Sequence, residues 1–516
     1  MQLKKVLDFG RLALEQLRLR LPIPTVIGNV DYKRFEEELT GISRILIESG
    51  VERQCVAEAV VRAEAAAEKA CLAGSRKGGL SAGVRGVVQG HARRGLRCNV
   101  LRIILGEDFR GMSRRLAEAP LLRWFCGIDG LDVIKVPTKS TLQRYSQETP
   151  EQVLRDLVLT LVTSAAKSPQ QPSGEQKLGL KAPLDLAAYF VDTTCLKLNI
   201  HFPVDWVLLR DAARTLMKAT LLIRRHGLKA RMQEPRHFLG EMNRRCMEMT
   251  QKARRADGKK ERKRVLREME RLSGVIKRHA QRHRELLSAR WSQTDLSQGQ
   301  ARQIIGRIDG VLEKLPKAIE QAHERLIRGR QVTNKEKLLS MYESHAEVYV
   351  RGKAGASVEF GSQLFLGEQR QGVILDWALL DGEVRPDSHL FKESLERLAA
   401  LPYFDQIEVV VGDRGFDTKD NSRFLKSNGL RNALCPKPPQ AMAERRRDWE
   451  FRTLQTRRGQ TEGRIGIFKN VFTGNPILTK GAKNQAVEVA WAVLTHNLWV
   501  ITRLPRAEPQ KAKLAA

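Results

Sequence analysis

Aromatic residues are scarce, at 6% of 516 residues, and no apolar run is long enough to cross a bilayer. The most apolar late stretch, Val487 to Leu504, is broken by His496 and Asn497. The start, Met1-Gln-Leu-Lys-Lys-Val-Leu-Asp8, lacks the apolar core of a secretory signal. No lipidation motif or amphipathic anchor is present, which argues against a membrane-surface role. The seven cysteines (Cys55, Cys71, Cys98, Cys126, Cys195, Cys246, Cys435) are odd in number, and no pair has zinc-site spacing. They read as reduced thiols of an intracellular protein. Acidic residues are also short: 59 Asp and Glu face 90 Lys and Arg, leaving a net charge of +31. That excess goes well beyond what solubility needs and implies a polyanionic partner, nucleic acid above all. A soluble cytoplasmic protein without a membrane partner is expected.

Apolar residues make up 42% of the chain, enough for a real core, and the length suits roughly three domains. Residues 31–72 read as helix, with Phe35, Leu39, Ile42, Ile45, Leu46 and Val51 at near-helical spacing. Residues 74–97 are Gly-rich and basic. They read as a loop, either contacting phosphate or simply solvated. Residues 108–146 suggest two or three short helices. In the last of them Thr138 or Ser140 caps a segment presenting Lys139, Gln143 and Arg144, as a helix-turn-helix would. Small helical packing units look the same. A Pro/Gly/Ser-rich linker covers 166–180. Strand character at 186–192 stops at once, and 206–342 reads as helical and basic. Residues 221–340 hold 31 Lys and Arg against 14 Asp and Glu. An inserted helical hairpin or coiled coil is expected there. Strands at 346–350, 358–366 and 372–380, helix 388–400, strand 407–412, helix 418–427, strand 431–435 and helices 456–473 and 483–503 then give an α/β alternation.

Three carboxylates stand out. Asp192 ends the apolar run from Leu186, Asp413 ends the run Ile407–Gly412, and Glu462 lies in the helical stretch from Thr456. Two carboxylates at strand ends and one on a helix can converge on two divalent metals, which clamp the attacking and leaving oxygens of a phosphodiester. Arg458, Glu462 and Lys469 share a helical face, since offsets of four and seven return to nearly the same angle. Gly459, Gly463 and Gly466 are unfavourable in a purely structural helix and suit close approach of a polyanion. Taken singly, Asp413-Arg-Gly also fits a plain turn and Asp192-Thr a helix cap.

Arg458-x3-Glu462-x6-Lys469 resembles the signature around the last carboxylate of the DDE transposases of bacterial insertion sequences. Val191-Asp-Thr-Thr, Asn199-Ile-His-Phe-Pro203, Gly412-Asp-Arg-Gly-Phe416 and His496-Asn-Leu-Trp499 resemble the flanking text. Arg123-Trp-Phe125 and Ser140-Thr-Leu-Gln-Arg144 are similar to the family's N-terminal region. Gln455 stands where the family has Tyr, and residues 206–342 have no counterpart. The resemblance implies an α/β fold, an RNase H-like mixed sheet flanked by helices, with a helical N-terminal domain and a large α-helical insertion. It implies DNA cleavage and strand transfer, with Asp192, Asp413 and Glu462 catalytic and holding two Mg²⁺ (or Mn²⁺). Arg458, Lys469, Arg414, Lys139 and Arg144 would contact DNA.

The implied layout is a helical DNA-binding region at 1–165, a linker at 166–180, a catalytic domain at 181–205 and 343–505, the basic insertion at 206–342 and a disordered tail at 506–516. Expected partners are double-stranded DNA, both transposon ends and target, and a second copy of the chain in a synaptic homodimer. Two readings compete: an RNase H-like nuclease without strand transfer, and a non-catalytic domesticated DNA-binding protein.

Overall fold

The apolar run ahead of Asp192 does not stop there. In the computed structural model, which describes residues 25–72, 80–128, 133–166, 177–253, 258–353, 356–382 and 384–507, it continues as β1, Ala188–Lys197. Thr194, Cys195 and Leu196 are as buried as the residues before Asp192, so the strand is apolar on both sides of a polar step. The expected strand end at Asp192 is corrected: the carboxylate lies mid-strand.

The chain divides into two compact units. In the first, comprising residues 1–196, 363–379 and 385–516, β1 pairs in parallel with β5 (Val409–Gly412), and β5 with β6 (Arg431–Leu434). On the other side of β1 lies β3 (Ala356–Gln369), whose C-terminal part pairs antiparallel with β4 (Ile374–Leu379). The second unit holds β2 (Glu347–Lys353), paired antiparallel with the start of β3. The α/β expectation is met as a six-stranded mixed sheet with helices.

Alternation along β1 sends side chains to opposite faces. Ala188 and Phe190 join Val409, Val411 and Ala433 under Phe451 and Leu454 of one helix, Trp449–Ile467. Tyr189 faces the other way and meets Ser394 (2.7 Å) on helix Asp387–Ala399. The first unit is therefore sheathed on both faces of its sheet.

The N-terminal helices belong to this same unit rather than standing apart. They are α1 (Val30–Glu48), α2 (Val51–Leu72), α3 (Ala82–Ile104), α4 (Phe109–Glu118), α5 (Pro120–Cys126), α6 (Lys139–Gln147) and α7 (Glu151–Ala165). The expected single helix over 31–72 is two, because Gly50 takes a left-handed φ of +84°. The expected loop over 74–97 is also corrected. Residues 73–79 lie outside the described residues, but from Ala82 the segment is helical, capped by Ser81 (3.3 Å). Its glycine content reflects packing at one point: a Cβ at Gly95 would come within 3.3 Å of the Tyr145 ring. Most of the linker, 167–176, and the tail, 508–516, also lie outside the described residues.

What binds these helices to the sheet is the last helix, Ala482–Thr502, buried along most of its length. Glu488 accepts a two-oxygen contact from Arg102 of α3 (2.7 and 2.8 Å). Asn497 reads the edge of β4. Its Oδ1 accepts from Ile374 N–H (2.8 Å) and its Nδ2 donates to Ile374 C=O (2.7 Å). His496 sits among the rings of Phe468, Phe472 and Trp499, where burial pushes its pKa down to about 4.

In the second unit a larger element stands where a helical hairpin or coiled coil is expected. Helices α8 (Asp205–Arg225), α9 (Pro235–Ala253), α10 (Lys259–Arg290) and α11 (Gln298–His323) form a four-helix bundle around one core that includes Leu216, Met249, Met269, Ile276, Ile308 and Leu315. Buried Asp205 accepts from Arg325 (2.8 Å) and Gln321 (2.8 Å), tying the start of α8 to the end of α11.

Asn497→Ala is expected to destabilise the protein by about 2–5 kcal/mol, because it orphans two buried backbone groups. Denaturant unfolding measures this. A loss below about 0.5 kcal/mol would show that the β4 edge is held by other means.

Candidate functional site

The pairing of Phe190 with Val411 puts Asp192 and Asp413 at the same level of two adjacent parallel strands. β5 has ended at Gly412 while β1 runs on, so Asp413 begins a turn beside a strand that is still extended. Asp413 Oδ1 accepts from Gly415 N–H (2.8 Å) and Asp192 Oδ1 from Thr193 N–H (2.7 Å), which aims both carboxylates. Burial raises the Asp192 pKa to about 6. The negative charges of Asp413 and Glu462 add to that, while the Thr193 N–H and Arg458 oppose it.

A third aspartate here escaped the sequence reading. Asp387 opens α12 (Asp387–Ala399), and its Oδ1 accepts from Thr193 Oγ1 (2.8 Å) and from Gln363 Nε2 (3.2 Å). Its pKa is raised too, by burial first and also by the charge of Asp413. A Cβ at Gly415 would lie 2.9 Å from Asp387 Oδ2 and 3.1 Å from Asp413 Oδ1, so both carboxylates flank that turn. In the sequence Pro386-Asp387 reads as nothing more than a helix start. Only the fold brings it beside Thr193.

Helices α13 (Lys419–Ser427) and α14 (Pro439–Arg445) precede α15, Trp449–Ile467, which carries Arg458 and Glu462. Gln455 hooks α15 to the strand ends, its Nε2 donating to Ala433 C=O (2.7 Å) and Gly412 C=O (3.4 Å). Its Oε1 accepts from Arg458 Nε (2.9 Å), which fixes the guanidinium. Glu462 is 61% exposed and 3.8 Å from Arg458, so it stands at the rim of the aspartate cluster, not within it. Gly459, Gly463 and Gly466 have open space where a Cβ would be.

Lys469 lies beyond the regular part of the helix. A π turn, Phe468–Thr473, follows α15 and widens the helix, and the lysine is buried with its Nζ on Thr194 Oγ1 (3.1 Å). It thus reaches β1 two residues beyond Asp192. Arg414 is exposed next to Asp413, and Lys139 and Arg144 are exposed on α6, capped by Thr138. All six described free cysteines are buried.

Among the described residues no three His, Cys, Asp or Glu are grouped closely enough to hold a metal ion as they stand. The donor chemistry nonetheless fits Mg²⁺. That ion takes hard oxygens and needs only one or two carboxylates, the rest being water and phosphate oxygens. Asp192 with Asp413 supplies such a pair, and Asp387 a further carboxylate. Comparison with protein-family models, curated proteins and solved structures finds no match to this chain.

The raised Asp192 pKa has a consequence for stability. The folded state prefers the neutral acid, so this group leaves stability untouched below about pH 4 and lowers it progressively as pH rises to about 6. Asp192→Asn, which mimics the neutral form, is expected to stabilise the metal-free protein by up to about 3 kcal/mol at pH 7.5 and not at pH 3.5. Unfolding curves at the two pH values test this, and an equal effect at both would refute it.

Proposed function

We propose that this chain is a DDE-type DNA transposase, cleaving phosphodiester bonds of duplex DNA and transferring the strand to a target. What supports it most is the register of Phe190 with Val411, which sets Asp192 on β1 level with Asp413 just past the end of β5, with α15 hooked over the same strand ends through Gln455. β1 lies between the antiparallel hairpin β3–β4 and the parallel strands β5 and β6, compatible with the RNase H-like layout that the sequence resemblance implies.

In this reading Asp192, Asp413 and Glu462 would hold two Mg²⁺ ions, with Asp387 beside Thr193 and the turn after Asp413. Bound there, divalent metal would supply activation of the attacking oxygen and charge stabilisation of the leaving one. Arg458, preset by Gln455, receives a phosphate oxygen. The bare glycine row of α15 lets the DNA backbone approach the helix closely. Lys469, on Thr194, lends positive charge behind the aspartates. A cavity of about 680 Å³ between α6 and the segment after α15 is lined by Gln143, Asn470, Lys480 and Lys483 together with Phe109, Phe472 and Leu478. Arg414, Lys139 and Arg144 add exposed cations for duplex DNA. The active form is a homodimer that joins two transposon ends.

Asp192→Ala, Asp413→Ala and Glu462→Ala are each expected to lower Mg²⁺-dependent nicking of a duplex carrying the flanking terminal repeats by roughly two orders of magnitude or more. DNA binding should stay near that of the parent. Near-normal cleavage by any variant removes that residue from the site. Cleavage by the parent without joining to target would favour a nuclease, and binding without cleavage a non-catalytic DNA-binding protein.

A further inference from the structure

The four-helix bundle of the second unit carries a feature that the cleavage site does not use. On α10, Lys260, Arg264, Arg267, Arg271, Arg278 and Arg282 are all exposed. They follow one another at steps of four, three, four, seven and four residues, so they fall on one face of the helix. The core residues Val265, Met269, Ile276, Ala280 and Leu287 occupy the opposite face. The single gap within the row is Gly274, which adds no bulk. Only Arg264 is neutralised, by Glu248 (2.8 Å) and Glu268 (2.6 Å). Among the described residues no carboxylate pairs with Lys260, Arg267, Arg271, Arg278 or Arg282. Burial lowers the His279 pKa, and Arg278 and Arg282 push it in the same direction.

From Lys260 to Arg282 the row spans about 33 Å at 1.5 Å per residue. One turn of B-DNA is about 34–36 Å. A membrane surface would call for apolar residues beside the cations, and none of the large exposed apolar side chains lies on α10. A protein partner would want an apolar centre to the patch. A narrow ladder of unpaired guanidinium groups matches a regular line of phosphates instead.

We propose that this face of α10 is a duplex-DNA backbone site that grips phosphates without reading bases. The assignment of DNA rests on the transposase reading above. The row ends at exposed Glu285, one helical step past Arg282, which provides a variant that adds to the site.

The test uses the full chain and a 30-base-pair duplex without terminal repeats, its binding followed by fluorescence anisotropy across a range of KCl. In the quadruple variant Arg267→Gln, Arg271→Gln, Arg278→Gln and Arg282→Gln, the slope of log affinity against log salt should fall by about 3 to 4, near 0.9 per lost phosphate contact. In Glu285→Lys the slope should steepen by about 1 and binding should tighten, a gain that misfolding cannot mimic. Parent slopes in both variants would overturn the proposal. So would preference for an RNA duplex of equal length with the same loss. If the parent fails to cleave repeat-bearing DNA yet the slopes respond, the transposase reading falls and the contact stands. If cleavage is normal and the slopes do not respond, only the contact falls.

Discussion

The arrangement of the candidate site hangs on one buried carboxylate, Glu368, at the end of β3. It is 4% exposed and accepts from Arg457 (3.0 Å), Thr461 (2.8 Å) and Arg464 (3.5 Å), all on α15. A buried charge is costly unless fully partnered, so α15 has one rotation at which Glu368 is satisfied. Arg457 adds bonds to the carbonyls of Gln369 and Arg370 and lies 4.5 Å over the Phe190 ring. Helix α15 needs this clasp. Each of its three glycines weakens a helix interior by about 1 kcal/mol, and it buries only Phe451, Leu454, Thr461 and Ile465. With Glu368 setting rotation and Gln455 setting the distance to the strand ends, Arg458 and Glu462 project along the rim next to Asp192.

The two units use charge in opposite ways. In the first, burial above all, and the charge of Asp413 besides, makes Asp192 and Asp387 resist ionisation, a penalty that a cation would relieve. In the second, much of the basic excess sits on a bundle whose core is independent of it, since the apolar contacts face inward and the cations outward. Such a division suits a protein that handles a polyanion at more than one place. It also accounts for Gln455 where the resembling family has Tyr. The amide bridges two strand carbonyls and Arg458 at once, a set of contacts a phenol could not make.

Much of this was legible in the sequence, and the exceptions have physical causes. The apolar run before Asp413 and the alternation at β2–β4 marked strands because burial on one or both faces leaves a period that can be read. The split at Gly50 and the helix at 82–104 do not show in the sequence because glycine is permissive: it ends one helix by a left-handed φ and allows close packing within another. The continuation of β1 past Asp192 was hidden by two threonines that look like a cap. Asp387 could not be found from spacing, since Thr193 and Gln363 reach it only through the fold. The sequence of the bundle reads as a hairpin or coiled coil because its charge masks four apolar stripes that become evident only when they meet.

The central claim is that Asp192, Asp413 and Glu462 share bound divalent metal. Fe²⁺ in place of Mg²⁺, with ascorbate and peroxide, generates hydroxyl radicals at the bound ion and cuts the nearby backbone. Cuts clustered around residues 192, 387, 413 and 462, suppressed by excess Mg²⁺ and lost in Asp192→Ala, are the expected result. Cuts elsewhere, or a pattern that Asp192→Ala leaves unchanged, would contradict it.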